Sequence, residues 1–280
     1  MTAGAQTISA ADGQDVGQIR RDFPLLQEAT LARGLHYLDN AATTQKPRQV
    51  IDAVSACSSE EYGPIHRALY PLGEAATERY EQSRRTLAAF LGAGSADQLV
   101  FTRSATEAIN LVASGWALPR LRPGDWIWVS RMEHHANYLP WQRVCQQRGA
   151  ELRIIELDDA GRLDLAQTPE LFAPRTRLIA VSQVSNVLGL ENPVKRLCAE
   201  AHAHGVPVLV DAAQSVSHLP IDVADLGCDF LACSAHKMYG PAGIGLLYGR
   251  PERLTEMEPL LLGGGMVDEV GEGVEASRWA

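Results

Sequence analysis

The stretches VPVLVDAAQS (206–215) and FLACSAHK (230–237) decide the fold. Each opens on a short apolar run, too brief for a helix and rich in the aliphatic side chains of a buried strand. Each then turns polar at its carboxyl end, with Asp211 and Gln214 in the first and Ser234, His236 and Lys237 in the second. Working outward, five further runs read the same way: LVFTRS (99–104), WIWVSR (126–131), ELRIIEL (151–157), RLIAVSQV (177–184) and GIGLLYG (243–249). Helical patterns lie between several of them. One is ATEAINLVASGWA (105–117), and another is NPVKRLCAEAHAHG (192–205), which closes on Gly205 as a helix usually does. Short apolar strands separated by helices predict an α/β fold with a mostly parallel sheet and helices on both faces. Ligands of such sheets sit at the carboxyl ends of the strands.

Composition narrows the function classes. The chain has 280 residues, 46% of them hydrophobic, enough to bury a large core. Its formal charge is −9, and no block of basic residues occurs, which argues against a nucleic-acid groove. No apolar run approaches the ~18 residues of a membrane span. No basic residue precedes Arg20 and no apolar segment follows it, so the N-terminus does not read as a secretory signal and a cytoplasmic location is expected. Five scattered cysteines without a CxxC pair point to reduced thiols. Residues 1–21 are expected to be a mobile tail, and 22–280 one large domain.

Polar residues collect at five strand ends: Ser104 and Thr106; Glu133, His134, His135 and Asn137; Ser185 and Asn186; Asp211 and Gln214; Ser234, His236 and Lys237. A pyridoxal 5'-phosphate site needs such a set. Its aldehyde needs a nearby, partly deprotonated amine, for which Lys237 suits. Its ring nitrogen needs a carboxylate to stay protonated, for which Asp211 suits. Its phosphate needs donors at a helix start, which the Ser104–Thr106 turn, Ser234 and His236 offer.

SAHKMYGP (234–241) resembles the lysine motif of the class V aminotransferases and, more narrowly, of the group II cysteine desulfurases. YLDNAATTQKP (37–47), the His66-Arg67 pair, EHHANYLPW (133–141), VSNVLG (184–189) and VDAAQS (210–215) match that family in order and spacing. The resemblance runs from about Asp22 to the C-terminus. It implies the large domain of a fold-type I pyridoxal-phosphate enzyme, with Lys237 forming the Schiff base and Asp211 paired to the pyridine nitrogen. His134 is implied to stack on the ring and shuttle protons, and Asn186 and Gln214 to bond the phenolic oxygen or the substrate. Thr106, Ser234 and His236 are implied to hold the phosphate, with Ala41, Ala42 and His66 near the substrate. The implied activity takes sulfur from L-cysteine, or L-selenocysteine, to leave alanine and a protein persulfide for iron–sulfur cluster assembly. A homodimer and a sulfur-acceptor protein are implied partners.

The family's nucleophilic cysteine and carboxylate-binding arginine belong to a C-terminal small domain beyond Gly263-Gly264-Gly265-Met266, and neither has a counterpart here. A truncated chain, inactive alone, is therefore expected. The alternatives are another class V enzyme (a selenocysteine or cysteine-sulfoxide lyase, or an aminotransferase) and a non-catalytic pyridoxal-phosphate-binding partner protein. Ala105 stands where the family often has threonine, which removes one phosphate donor.

Blander readings cover the remaining motifs. Glu133-His134-His135 lacks HExxH spacing, so no metal is expected there. Cys198 and His202, four apart on a helix, could ligate zinc, but a packed structural pair fits their apolar periodicity better. Cys228 and Cys233 read as core thiols, Cys57 and Cys145 carry no recognisable role, and the tryptophans read as packing residues.

Overall fold

Seven strands form one sheet: β1 (Leu99–Thr102), β2 (Trp126–Ser130), β3 (Glu151–Ile155), β4 (Thr176–Ser182), β5 (Val208–Asp211), β6 (Phe230–Ser234) and β7 (Gly245–Gly249). Their spatial order is β1-β7-β6-β5-β4-β2-β3. The computed structural model describes residues 15–27, 30, 32–165, 169–273 and 278–279. Residues 1–14 of the expected tail lie outside these. Val16–Arg21, inside the same stretch, forms a short helix, where the carboxylate of Asp15 accepts the Gly17 N–H at 2.8 Å.

The seven apolar runs of the sequence each contain one strand. β2 to β6 pair in parallel, while β7 runs antiparallel to both β6 and β1. The sequence pattern did not single out this reversal. Its cause is the short connection between Ser234 and Gly245, since a parallel return needs a crossover of about a dozen or more residues.

Both faces are covered. Every residue of β2, β5, β6 and β7 is buried. Successive residues of a strand point to opposite faces, so the strands feed two cores. Val208, Val210, Leu231 and Cys233 enter one, with Leu197 and Cys198 of the helix Val194–Ala203. Leu209, Phe230 and Ala232 enter the other, with Ile109, Trp116 and Trp141. Trp126 and Trp128 share the first core and meet edge to face at 6.4 Å. Cys198 packs there too, while His202 turns to Asp229, Nε2 to Oδ2 at 2.7 Å.

The helix Ala105–Leu111 continues through a π-helical stretch, Val112–Ala117. A Cβ on Gly115 would lie 2.2 Å from the carbonyl oxygen of Glu258, so glycine is required where that segment crosses the helix. Two longer helices, Arg48–Glu60 and Pro71–Phe90, precede β1, and a two-stranded ribbon joins Val267–Glu269 to Arg278–Trp279. Among the described residues, no helix is long and apolar enough to cross a membrane.

Candidate active site

A cavity of about 530 Å³ opens at the carboxyl ends of the strands. β1 leads to Ser104 and Thr106 in its wall, β2 to His134, β4 to Asn186, β5 to Asp211 and Gln214, and β6 to Ser234, His236 and Lys237. A strap from the N-terminal part of the chain adds Asp39, Ala41 and Ala42. Ten of the eleven site residues named from the sequence therefore meet here. His66 does not line the cavity. It lies ahead of the helix Pro71–Phe90, where its N–H donates to Thr77 Oγ1 at 2.8 Å and its Nε2 is 3.6 Å from Glu81.

Asp211 ends β5 and is only 6% exposed. One oxygen, Oδ1, accepts the Ala213 N–H at 2.9 Å, and among the described residues the carboxylate forms no ion pair. Burial pushes its pKa up, while that hydrogen bond and the charges of Lys237 and His134 pull it down. A buried carboxylate without a close cation is costly, and a protonated ring nitrogen is the kind of partner that removes the cost. Burial lowers the pKa of Lys237, against the opposing pull of Asp211. The amine is thus easier to deprotonate than an exposed lysine.

The anion end of the cavity forms where the helix at Ala105 starts. Ser234 Oγ accepts the Ala105 N–H at 2.7 Å, which leaves its own proton free for a ligand oxygen. Ser104 caps the same helix, its Oγ accepting the Glu107 N–H at 3.2 Å. A Cβ on Gly245 would lie 2.4 Å from the carbonyl carbon of Ser104, so only glycine lets β7 pass this turn. The Thr106 N–H and hydroxyl, with the Ser234 hydroxyl, suit a phosphate. Together with Asp211 and Lys237, the cavity fits pyridoxal phosphate.

Other side chains are partly committed already. His134 Nδ1 accepts the Ala136 N–H at 3.1 Å, which places the proton of the neutral ring on Nε2. Gln214 Nε2 donates to the carbonyl of Ala41 at 2.7 Å, tying the strap to β5 and leaving Oε1 free. His236 Nδ1 faces Thr43 Oγ1 at 3.1 Å. Burial first, then the charges of Lys237 and Lys46, lower its pKa. Because the Thr43 hydroxyl donates to the His236 carbonyl, Nδ1 carries the ring proton toward Thr43 Oγ1, and Nε2 of the neutral ring is an acceptor.

Sequence reasoning missed Thr43 and Thr44. Their hydroxyls donate to the carbonyl of His236 at 3.1 and 3.0 Å, and Thr44 Oγ1 also accepts the Tyr239 N–H at 2.8 Å. Tyr239 has a φ of +65°, a left-handed conformation unusual for a tyrosine, at the turn beyond the lysine. The adjacent threonines in YLDNAATTQKP were the available signal. None of the five cysteines lines the cavity, and neither does any arginine. Burial pushes the thiols of Cys145, Cys198 and Cys233 up to about 12, away from thiolate chemistry.

The aminotransferase class-V family matches residues 36–279. The chain belongs to this family. Within the class V family it is 50% identical over 264 residues to a cysteine desulfurase of Klebsiella pneumoniae subsp. pneumoniae, covering 94% of this chain and 65% of that protein. It is likewise 50% identical over 256 residues to a probable cysteine desulfurase of Mycolicibacterium paratuberculosis, covering 91% of this chain and 37% of that one. The cysteine desulfurase CsdA of Escherichia coli, crystallised in an S-sulfonic acid form, superposes with a TM-score of 0.84 at 43% identity, over 94% of this chain and 64% of that one. An apo cysteine desulfurase from Thermococcus onnurineus NA1 superposes with a TM-score of 0.85 at 38% identity, over 92% and 62%. The chain thus spans less than two thirds of the length of these relatives. Its mixed sheet with helices on both faces is the fold-type I architecture of class V enzymes, a family that implies use of pyridoxal phosphate.

Proposed function

We propose that residues 22–280 are the cofactor-binding domain of a pyridoxal-phosphate-dependent cysteine desulfurase. The observation that carries this reading is the convergence of Lys237, Asp211 and His134 on one cavity with a phosphate-compatible end. When bound, pyridoxal phosphate supplies an aldehyde for an amine and a ring that withdraws electrons. Lys237 offers the amine, with Nζ able to take and return a proton because burial has lowered its pKa. Asp211 holds the proton on the ring nitrogen. His134 presents an Nε2–H to the cavity, and Asn186 and the free Oε1 of Gln214 orient polar groups there. Thr106 and Ser234 bind the phosphate, with His236 beside them, while the strap at Ala41 and Ala42 limits water.

The overall reaction converts L-cysteine and a thiol to L-alanine and a persulfide. The C–S bond breaks, an S–S bond forms to the acceptor thiol, and a proton replaces sulfur on carbon. L-selenocysteine is a second candidate substrate. The cavity holds no thiol and no arginine among the described residues, so the reading requires the acceptor thiol from outside the cavity. The same observation favours cofactor binding without turnover as a second reading. A homodimer, a sulfur-acceptor protein, a role in iron–sulfur assembly and a cytoplasmic location with its thiols reduced complete the proposal.

The test is a pair of measurements on the purified chain and on Lys237→Ala: uptake of pyridoxal phosphate, seen as a protein-bound visible band, and release of alanine from L-cysteine with and without added thiol. The expected result is a band that depends on Lys237, with alanine formed only when a thiol is supplied. No band in either protein, or alanine release indifferent to Lys237→Ala, would overturn the reading.

A further inference from the structure

Glu133 precedes His134, and its carboxylate gathers four hydrogen bonds. Oε1 accepts the Ser130 hydroxyl at 2.5 Å and the Ser182 N–H at 2.9 Å. Oε2 accepts the Ser182 hydroxyl at 2.5 Å and Asn137 Nδ2 at 2.6 Å. The donors come from the end of β2, the end of β4 and the turn after His134. Asn137 is fully buried, and its Oδ1 accepts the indole N–H of Trp141 at 2.9 Å, so the clamp is anchored in the core. Ser182 is also the register partner of Asp211 and itself lines the cavity.

The segment 130–137 is therefore fastened at both ends by one carboxylate, and His134 stands between the fastenings. Among the described residues, the His134 ring makes no hydrogen bond outside its own turn. Its single bond comes from Ala136 N–H at 3.1 Å. Beyond this bond, among the described residues the ring meets the His135 ring at 6.0 Å between centroids and feels the longer-range attraction of Asp211. The backbone of the turn has its own bonds, such as Asn137 N–H to the His134 carbonyl at 2.8 Å, and the Glu133 carboxylate ties that turn to β2 and β4.

We propose that Glu133 is a positioning residue of the site: its carboxylate fixes the His134 turn against the cavity, through the polarity of its hydrogen bonds rather than through side-chain volume. This rests on the reading that the cavity takes pyridoxal phosphate. In the ionised form, both oxygens of Glu133 act purely as acceptors. Glu133→Gln keeps the shape but replaces one oxygen by NH2. With the amide oxygen toward Ser130 and the Ser182 N–H, the new NH2 meets Asn137 Nδ2, donor against donor. Asn137→Asp in the same chain removes that conflict, since the carboxylate introduced at 137 accepts from the glutamine and still accepts from Trp141.

The experiment uses the full 280-residue chain at a pH of about 8, above the value of about 7 to which burial raises Glu133. The wild type, Glu133→Gln and the double variant Glu133→Gln/Asn137→Asp are titrated with pyridoxal phosphate. The circular dichroism induced in the bound cofactor at saturation and the melting temperature are recorded separately. Glu133→Gln is expected to weaken binding on the order of tenfold, as loss of a supporting hydrogen-bond partner does in metal sites, and to diminish the induced signal at saturation. The double variant is expected to return both to near wild type.

A folded Glu133→Gln chain with wild-type affinity and signal, whatever its melting temperature, shows a merely structural residue and overturns the proposal. So does a folded double variant that stays as weak as the single one. If Glu133→Gln does not fold, the double variant decides alone, and failure of both to fold makes Glu133 a folding residue and also overturns it. A wild-type chain that takes up no pyridoxal phosphate is a separate outcome, since it removes the reading beneath the proposal and the proposal with it.

Discussion

Thr44 and His236, 192 residues apart, are joined twice: the Thr44 N–H and the Thr44 hydroxyl both donate to the His236 carbonyl, at 2.9 and 3.0 Å. The residue after His236 is Lys237. The strap that lines the cavity is thus bonded to the main chain beside the lysine, so on the proposed reading cofactor retention is expected to follow strap stability.

Thr44→Ala tests this coupling. Thr44 is 2% exposed, and its loss strips the Tyr239 N–H of an acceptor and the His236 carbonyl of a donor. An unsatisfied buried group costs roughly 1–3 kcal/mol. Denaturant unfolding is expected to show a loss of that size, with faster release of pyridoxal phosphate, while Thr44→Ser keeps both bonds and stays near wild type.

Gly245→Ala should disturb the anion end selectively. The added Cβ would sit within 2.4 to 2.7 Å of the Ser104 backbone, which must shift. Overpacking of this kind costs about 1–3 kcal/mol. The expected signature is a larger loss of affinity for pyridoxal phosphate than for pyridoxal. An equal loss for both would place the disturbance elsewhere.

Glu133 should make stability depend on pH. Its pKa rises from 4.5 to about 7 through burial, opposed by the hydrogen bonds from Ser130, Ser182 and Asn137. Between those values the folded chain keeps a proton that the unfolded chain has lost, so stability falls as pH rises through this window. The contribution is on the order of 3 kcal/mol. Chemical denaturation from pH about 5 to about 8 is expected to show the decline, and Glu133→Gln to flatten it.

Lys237 has the opposite slope. Burial lowers its pKa below the ordinary 10.5, so the unfolded chain holds the proton at pH values where the folded chain has released it. Its contribution to stability rises with pH across the window below 10.5. Lys237→Met should therefore raise the melting temperature of the cofactor-free chain at neutral pH, with the gain shrinking toward alkaline pH. A gain that does not vary with pH would mean that packing, not charge, sets the cost.

Much of this was legible in the sequence. The seven apolar runs located every strand of the main sheet, because buried parallel strands need unbroken apolar residues and surface helices do not. The direction of β7 was not legible in that pattern, since an apolar run reads the same either way and only the length of its connection reveals the reversal. The π-helical stretch at Val112–Ala117 reads in sequence as ordinary helix, and the backbone it meets at Gly115, that of Glu258, lies far along the chain. The strand-end rule assembled the cavity, since ionisable residues after buried strands have few other places to go. Thr43 and Thr44 escaped because their partner is a distant backbone carbonyl, which carries no side-chain signature. Glu133 was noticed as one polar residue at a strand end and as a neighbour of two histidines, with no role, whereas its bonds run to Ser130, Asn137 and Ser182.

The two kinds of connection around Lys237 imply an order of assembly. The reversal from β6 to β7 closes a short loop, and the entropy of closing a loop grows with its length. The lysine turn can therefore form early in folding. The strap's bonds to His236 span 192 residues and carry the larger closure cost, so they are expected to form late. In the interval the lysine stands in an open cleft. If the chain takes pyridoxal phosphate as proposed, cofactor present during refolding is expected to be taken up faster than cofactor added after the strap is in place.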